Sequence, residues 1–269
     1  EYHEDKNQYV NVGIAEQNAA GVAAGLATCG KIPFVVTYAV FGSLRMCEMI
    51  RQEICYTNLN VKIACSHGGV TPANDGASHQ AIEDMGVLRS IPNMTVMMPA
   101  DYVSAKKLTR AAAETDGPMY LRFTRDAIPQ IYDESVELVI GKAHQIQDGK
   151  DVAIIANGDT VRLAIEAANL LEEKGISVRV LDMHTIKPLD VEAVTACVNE
   201  IGKIITVEDH NIMNGLGSAV CEVAAELGKG IVKRIGIQDQ FGQSAPYERL
   251  LAINGVTVEN IVETAEKMQ

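Results

Sequence analysis

The feature that most restricts this fold is a repeated switch of hydrophobic period along the chain. Short β-branched runs, "IPFVVTY" (32–38), "VKIAC" (61–65), "MTVMMP" (94–99) and "MYLRF" (119–123), have the length and composition of strands. Between them, residues 43–56, 78–90 and 101–114 carry apolar side chains at i, i+3 and i+4, which predicts helices. Asp101 stands where an N-cap is needed, just after the strand-ending Pro99. From 125 to 150 the alternation stops, and Pro129, Gly141 and Gly149 punctuate two short strand-like runs. A second series follows, with strands expected at 151–158, 176–182, 203–209 and 231–237. Helices are expected at 159–175, 189–202 and 215–228. Such alternation predicts an α/β protein with two open, mainly parallel sheets covered on both faces. The pause places two domains at 1–141 and 142–269.

Composition narrows the partners. The chain has 269 residues, 47% of them hydrophobic, with no Trp and a net charge of −12. Lys and Arg are scattered singly or in pairs such as Lys106-Lys107, so there is no basic stripe to hold a nucleic-acid backbone. No apolar run approaches the ~20 residues of a membrane span. The six cysteines include no C-x-x-C pair and sit mostly in apolar contexts. Reduced thiols in a cytoplasmic protein are therefore expected, rather than a disulfide framework or a zinc site.

The stretch "NVGIAEQNAAGVAAGLATCG" (11–30) holds one carboxylate, Glu16, among small and apolar residues. The states open to it at low cost are exposure to solvent or a hydrogen-bonded acid. The segment "SHGGVTPANDGASHQAIED" (66–84) gathers His67, Asp75 and His79 in a Gly- and Pro-punctuated loop between strand and helix. Open α/β sheets place ligands at such loops. The spacing matches no zinc pattern. Hydrogen bonding to a polyhydroxylated substrate and simple capping of local amides both fit. Arg125, just past a strand, could hold an anion or be an exposed structural arginine. Tyr38 and Phe41, taken alone, read as core aromatics. The Gly-rich fragments at 157–160 and 214–219 complete no phosphate-loop motif and suit ordinary strand-to-helix turns.

Taken together, these stretches resemble the transketolase family. "NVGIAEQNAAGVAAGLA" is similar to the family's segment carrying the glutamate that activates thiamine diphosphate. "TYAVF" (37–41) resembles its aromatic segment, and residues 66–101 resemble its substrate loop and following helix. "VRVLDMHTIKPLD" (178–190) and "TVEDHNIMNGLGSAV" (206–220) resemble its C-terminal domain. The resemblance implies a pyrimidine-binding domain followed by a transketolase C-terminal domain. It gives Glu16 the aminopyrimidine nitrogen of thiamine diphosphate, Ile14 the cofactor's bent shape, and Tyr38 and Phe41 its ring faces. It gives His67, Asp75 and His79 the hydroxyls of a ketose, with His79 closest to the transferred unit, and Arg125 the terminal phosphate of the sugar.

The likeness covers only the second half of a full-length transketolase, and the G-D-G signature with its downstream Asn is absent. The resemblance thus implies the C-terminal subunit of a split enzyme. A separate N-terminal subunit would supply the diphosphate and Mg2+ site, with no metal held here and a heterotetramer as the assembly. Self-association of this chain is also implied. Only ten residues precede Asn11, where the family carries a strand and a helix, so a truncated chain or a start beyond this sequence is expected. "ANDG" (73–76) replaces the family's Gly-Glu-Asp-Gly, so Asn74 stands for a carboxylate and a differently headed ketose stays open. The rival activities are 1-deoxyxylulose-5-phosphate synthase, which shares the "DG-x-x-HQ" core, and the beta subunit of a 2-oxoacid dehydrogenase. A non-catalytic partner subunit is the rival outside enzymes.

Overall fold

Helix α1 (Glu16–Thr28) is built from Ala and Gly, and buries Ala20, Ala23 and Ala24 on a narrow face. The computed structural model describes residues 8–269. Strand β1 (Phe34–Val35) is much shorter than the run 32–38 predicts. It is an edge strand paired on one side only, and past Val35 the chain keeps a single bridge, Tyr38 to Ser66, before turning into a helix. That helix covers the predicted 43–56 stretch but is wound wide. Two π-helical segments, Phe41–Arg45 and Ile50–Cys55, flank one α turn, α2 (Cys47–Met49). Within the first segment the Ser43 hydroxyl donates to the Ala39 carbonyl at 2.7 Å, the back-bonding that loosens a helical ladder.

Strand β2 (Lys62–Cys65) lies beside β1. The helix predicted from residue 78 begins only at α3 (Asp84–Arg89), because residues 77–79 form turns and Gly69 and Ala81 exchange backbone hydrogen bonds of 2.9 Å, which commits the Ala81 amide elsewhere. Strand β3 (Thr95–Met97) leads to α4 (Tyr102–Glu114), where Asp101 and Ser104 form a reciprocal capping box. Strand β4 (Met119–Arg122) closes the series. Beyond it the chain runs irregularly, pinned where the Ile131 and Tyr132 amides donate to Asp101 Oδ2 at 2.8 Å. Of the two strand-like runs predicted there, one forms, as β5 (His144–Gln147).

The second series contains β6 (Val152–Ala156), α5 (Val161–Glu173), β7 (Val178–Asp182), β8 (Thr185–Lys187), α6 (Val191–Glu200) and β9 (Lys203–Asn211). It ends with α7 (Leu216–Leu227), β10 (Ile231–Ile237), α8 (Tyr247–Ile253) and α9 (Val258–Lys267). Two five-stranded sheets result, ordered β1-β2-β4-β3-β8 and β10-β9-β6-β7-β5. Each is parallel except for one antiparallel edge strand, so the fold is the α/β arrangement with two mainly parallel sheets. The edge strand β8 comes from the second series yet pairs with β3 of the first sheet. Among the described residues, no helix is long and apolar enough to cross a membrane.

The two series share one interior. Ile50, Ile63 and Val96 of the first belong to the same apolar cluster as Ala153, Leu181 and Ile204 of the second. Through this seam runs a buried polar network centred on Arg122, which is fully shielded from solvent. Its Nε lies 2.9 Å from Asp84 Oδ2, and its Nη2 donates to the carbonyls of Ala81 (2.9 Å) and Asp209 (2.8 Å). Tyr120 donates to the same Asp84 carboxylate at 2.6 Å. Removing one member of a buried ion pair leaves an uncompensated charge, at a cost of about 3–5 kcal/mol. Arg122→Met is therefore expected to destabilise the chain by about that amount, with part recovered when Asp84→Asn is added. Urea denaturation of the two variants checks this.

Candidate active site

Glu16 is the first residue of α1, where the helix dipole favours a negative charge. Its side chain is only 10% exposed, and its carboxylate reaches Arg45 Nη1 at 3.8 Å, too far for a hydrogen bond. Among the described residues that carboxylate accepts no hydrogen bond, an unusual state for a group so well covered. Ile14, two residues earlier, is 94% exposed.

Tyr38 and Phe41 are three residues apart at the entry to the wide helix, so their side chains share a face. Their rings lie nearly parallel with centroids 6.2 Å apart. Tyr38 also stacks on His67 at 3.8 Å, and His79 meets Phe41 edge-on at 5.6 Å. The Arg45 guanidinium lies over the Phe41 ring, 5.2 Å from its centroid. One continuous surface thus runs from Glu16 through Arg45, Phe41 and Tyr38 to both histidines. Arg45 had no place among the residues singled out from sequence. The available signal was its position one helical turn after Phe41, on the same face.

Both histidines are supported alike. Ser66 Oγ lies 2.8 Å from His67 Nδ1, and Ser78 Oγ lies 2.9 Å from His79 Nδ1. Each Nε2 makes no hydrogen bond to another described residue, so either tautomer leaves a polar atom for a ligand. His67 has φ +65°, a left-handed conformation uncommon outside glycine. Burial, and then the positive charge of Arg125, hold its pKa below the ordinary histidine value.

Asp75 and Arg125 are half-exposed and paired with each other, Nη1 to Oδ2, at 3.2 Å. Arg125 Nη1 also donates to the Pro72 carbonyl at 2.8 Å, and the Arg125 amide donates to Thr71 Oγ1 at 3.3 Å. Asp75 sits on the same loop as the histidines, and Arg125 reaches it from the segment just past β4. Among the described residues, no group of three or more His, Cys, Asp or Glu side chains is arranged to hold a metal ion.

A family model for the transketolase pyrimidine-binding domain matches residues 1–130, and one for the transketolase C-terminal domain matches 141–261. A solved structure of a split-gene transketolase, described as an inactive beta4 tetramer, superposes with a TM-score of 0.92 at 43% identity, covering 98% of this chain and 84% of that one. A subunit of the apulose-4-phosphate transketolase of Phocaeicola vulgatus is 41% identical over 96% of this chain and 83% of its own length. A 1-deoxy-D-xylulose-5-phosphate synthase of Geobacter sulfurreducens is 39% identical over 96% of this chain, but only 41% of its own length.

Because Arg125 helps to keep the His67 imidazole neutral, Arg125→Gln is expected to move His67 titration upward, toward the ordinary histidine range. Following the ring resonances by NMR from pH 8 to pH 5 checks both the direction and the identity of the partner.

Proposed function

The chain belongs to the transketolase family, and from that premise we propose that it is the C-terminal subunit of a split, thiamine-diphosphate-dependent transketolase. It would transfer a two-carbon ketol unit from a ketose to an aldose only when paired with an N-terminal subunit carrying the diphosphate and Mg2+ site. Residues 1–141 are assigned to the pyrimidine-binding domain and 142–269 to the C-terminal domain, with β8 reaching back into the first sheet. The observation that carries the reading is the continuous surface joining Glu16, Arg45, Phe41, Tyr38, His67 and His79.

The residues present fit the cofactor. Among the described residues Glu16 is a covered carboxylate that accepts no hydrogen bond, and a ring N–H of the aminopyrimidine would supply one. Thiamine diphosphate, when bound, supplies the nucleophilic carbon and the electron sink for carbon–carbon cleavage. Glu16 would hold a proton at the pyrimidine ring, and the exposed Ile14 would pack against the cofactor. Tyr38 and Phe41 offer flat apolar faces to its ring. His67 and His79 would bond sugar hydroxyls through Nε2 and move protons there. Arg125 would exchange its exposed Asp75 partner for the terminal phosphate, leaving Asp75 free for a hydroxyl. The neutral Asn74 beside this pair leaves room for donors headed otherwise than the common pentose phosphates.

The solved split-gene relative, a tetramer described as inactive, supports self-association and dependence on a second subunit. Free cysteines throughout accord with a cytoplasmic setting. The reconstituted pair is expected to turn over xylulose 5-phosphate with ribose 5-phosphate, or apulose 4-phosphate as donor, and not pyruvate with glyceraldehyde 3-phosphate. Turnover with pyruvate alone would assign the synthase activity instead. Glu16→Gln is expected to cut turnover at least about 100-fold, the scale of losing a positioned proton carrier.

A further inference from the structure

The loop that carries both histidines is gripped from behind by the second half of the chain. Asp209, near the end of β9, accepts the Val70 amide with both carboxylate oxygens, at 3.1 and 3.0 Å. Val70 is three residues past His67. Gly69, at φ +60°, brings the backbone so close that a Cβ there would sit 1.9 Å from Asp209 Oδ2. Arg122 then ties the other end, because its Nη2 bridges the carbonyls of Asp209 and Ala81, and Ala81 is two residues past His79. The Asn211 amide donates to the Ile82 carbonyl at 2.9 Å. Two outer contacts complete the grip. Gln80 Nε2 donates to the Gln243 carbonyl at 2.9 Å, and Ser244 Oγ donates to the Asn74 carbonyl at 2.6 Å.

We propose that Asp209 is a positioning residue, which sets His67 and His79 against the Tyr38–Phe41 surface by holding residues 68–81. The proposal rests on the transketolase reading for what the histidines do, and on geometry alone for what Asp209 does. Nothing of Asp209 points into the candidate site, since its carboxyl is fully buried between β9 and the loop. It replaces the backbone partner that the Val70 amide would otherwise need, so its loss orphans a buried donor. Burial, and then the neighbouring Asp159 carboxyl, push the Asp209 pKa well above its ordinary value. Asn at this position keeps a carbonyl oxygen of the same reach as an acceptor for the Val70 amide. The second half of the chain therefore contributes to the site through the loop rather than by a group of its own.

The test uses the full chain, alone and with its N-terminal subunit. In Asp209→Ala, amide hydrogen exchange across 68–81 should quicken by about tenfold, the weight of one buried hydrogen bond, while α1 keeps its protection. In the pair, kcat/KM for the ketose should fall about tenfold or more. The thiamine diphosphate concentration for half activity, set by Glu16, Tyr38 and Phe41, should stay within about twofold. Asp209→Asn should restore both. Should the alanine variant fail to fold, Asp209→Ser, which keeps polarity but shortens the acceptor, carries the same measurements. Unchanged exchange, an equal shift in cofactor requirement, or no rescue by Asn would overturn the proposal. A wild-type pair without ketol transfer would instead overturn the transketolase reading, and the exchange experiment would still decide whether Asp209 holds the loop.

Discussion

A guanidinium removed from water tolerates no missing partner, and the fully buried Arg122 is the constraint around which the two halves meet. Its position at the end of β4 fixes what can surround it. Asp84 must supply charge, Ala81 and Asp209 must turn carbonyls toward it, and Gly68 must carry no side chain, since a Cβ would lie 2.4 Å from Nε. Because the carbonyls come from both series of the chain, docking the halves and shaping the loop are one event. Buried ionic groups of this kind contribute little net stability, yet they admit few alternative arrangements.

The buried seam and the open edge are paired differently. Arg122 holds Asp84 and the carbonyls of Ala81 and Asp209, although both Asp159 carboxyl oxygens nearby lack a hydrogen bond among the described residues. At the edge, among the described residues, Glu16 accepts no hydrogen bond, and Ile14 stands bare to solvent. Val36 and Tyr56, on the elements flanking α1, are also exposed. A covered carboxylate beside exposed apolar groups suits a surface that another molecule packs against. Under the proposed function, the cofactor and the second subunit close it together.

Periodicity made the α/β class and most of the second series legible, because β6, β7 and β9 are buried along nearly their whole length. Asp190 accepts an amide hydrogen bond at the start of α6 as the simplest capping rule requires, whereas β8, α8 and α9 lie outside the elements that the pattern predicts. The first series was harder. Its edge strand frays to two residues, its second helix is wound wide, and α3 starts late because the loop before it commits its amides to a bridge with Gly69. Residue type singled out Glu16, His67 and His79, and the structure gathers them with Tyr38 and Phe41 along one surface, while the roles given to them come from the family resemblance. Arg45 was marked only by its helical spacing from Phe41, and Asp209 by nothing local, since its contact with the Val70 amide joins residues 139 apart in sequence. The reach of β8 into the first sheet is a choice of tertiary pairing, beyond any local pattern.

The two ends of the candidate site are bound with unequal strength, and this bears on selectivity. His67 and His79 stand on a loop locked by buried contacts, so their geometry toward a ligand should vary little. The Asp75–Arg125 pair is more than a third exposed on each side, and such pairs are worth about 0–1 kcal/mol. Under the proposed function, an anionic headgroup would displace Asp75 at small cost, whereas a sugar whose hydroxyls missed the histidines would have to deform the buried seam. The core of the substrate would then be constrained by the fold, and its terminal group by a few weak surface contacts around Asn74, Asp75 and Arg125. Change of substrate within this architecture should run through those three positions before it touches the interior.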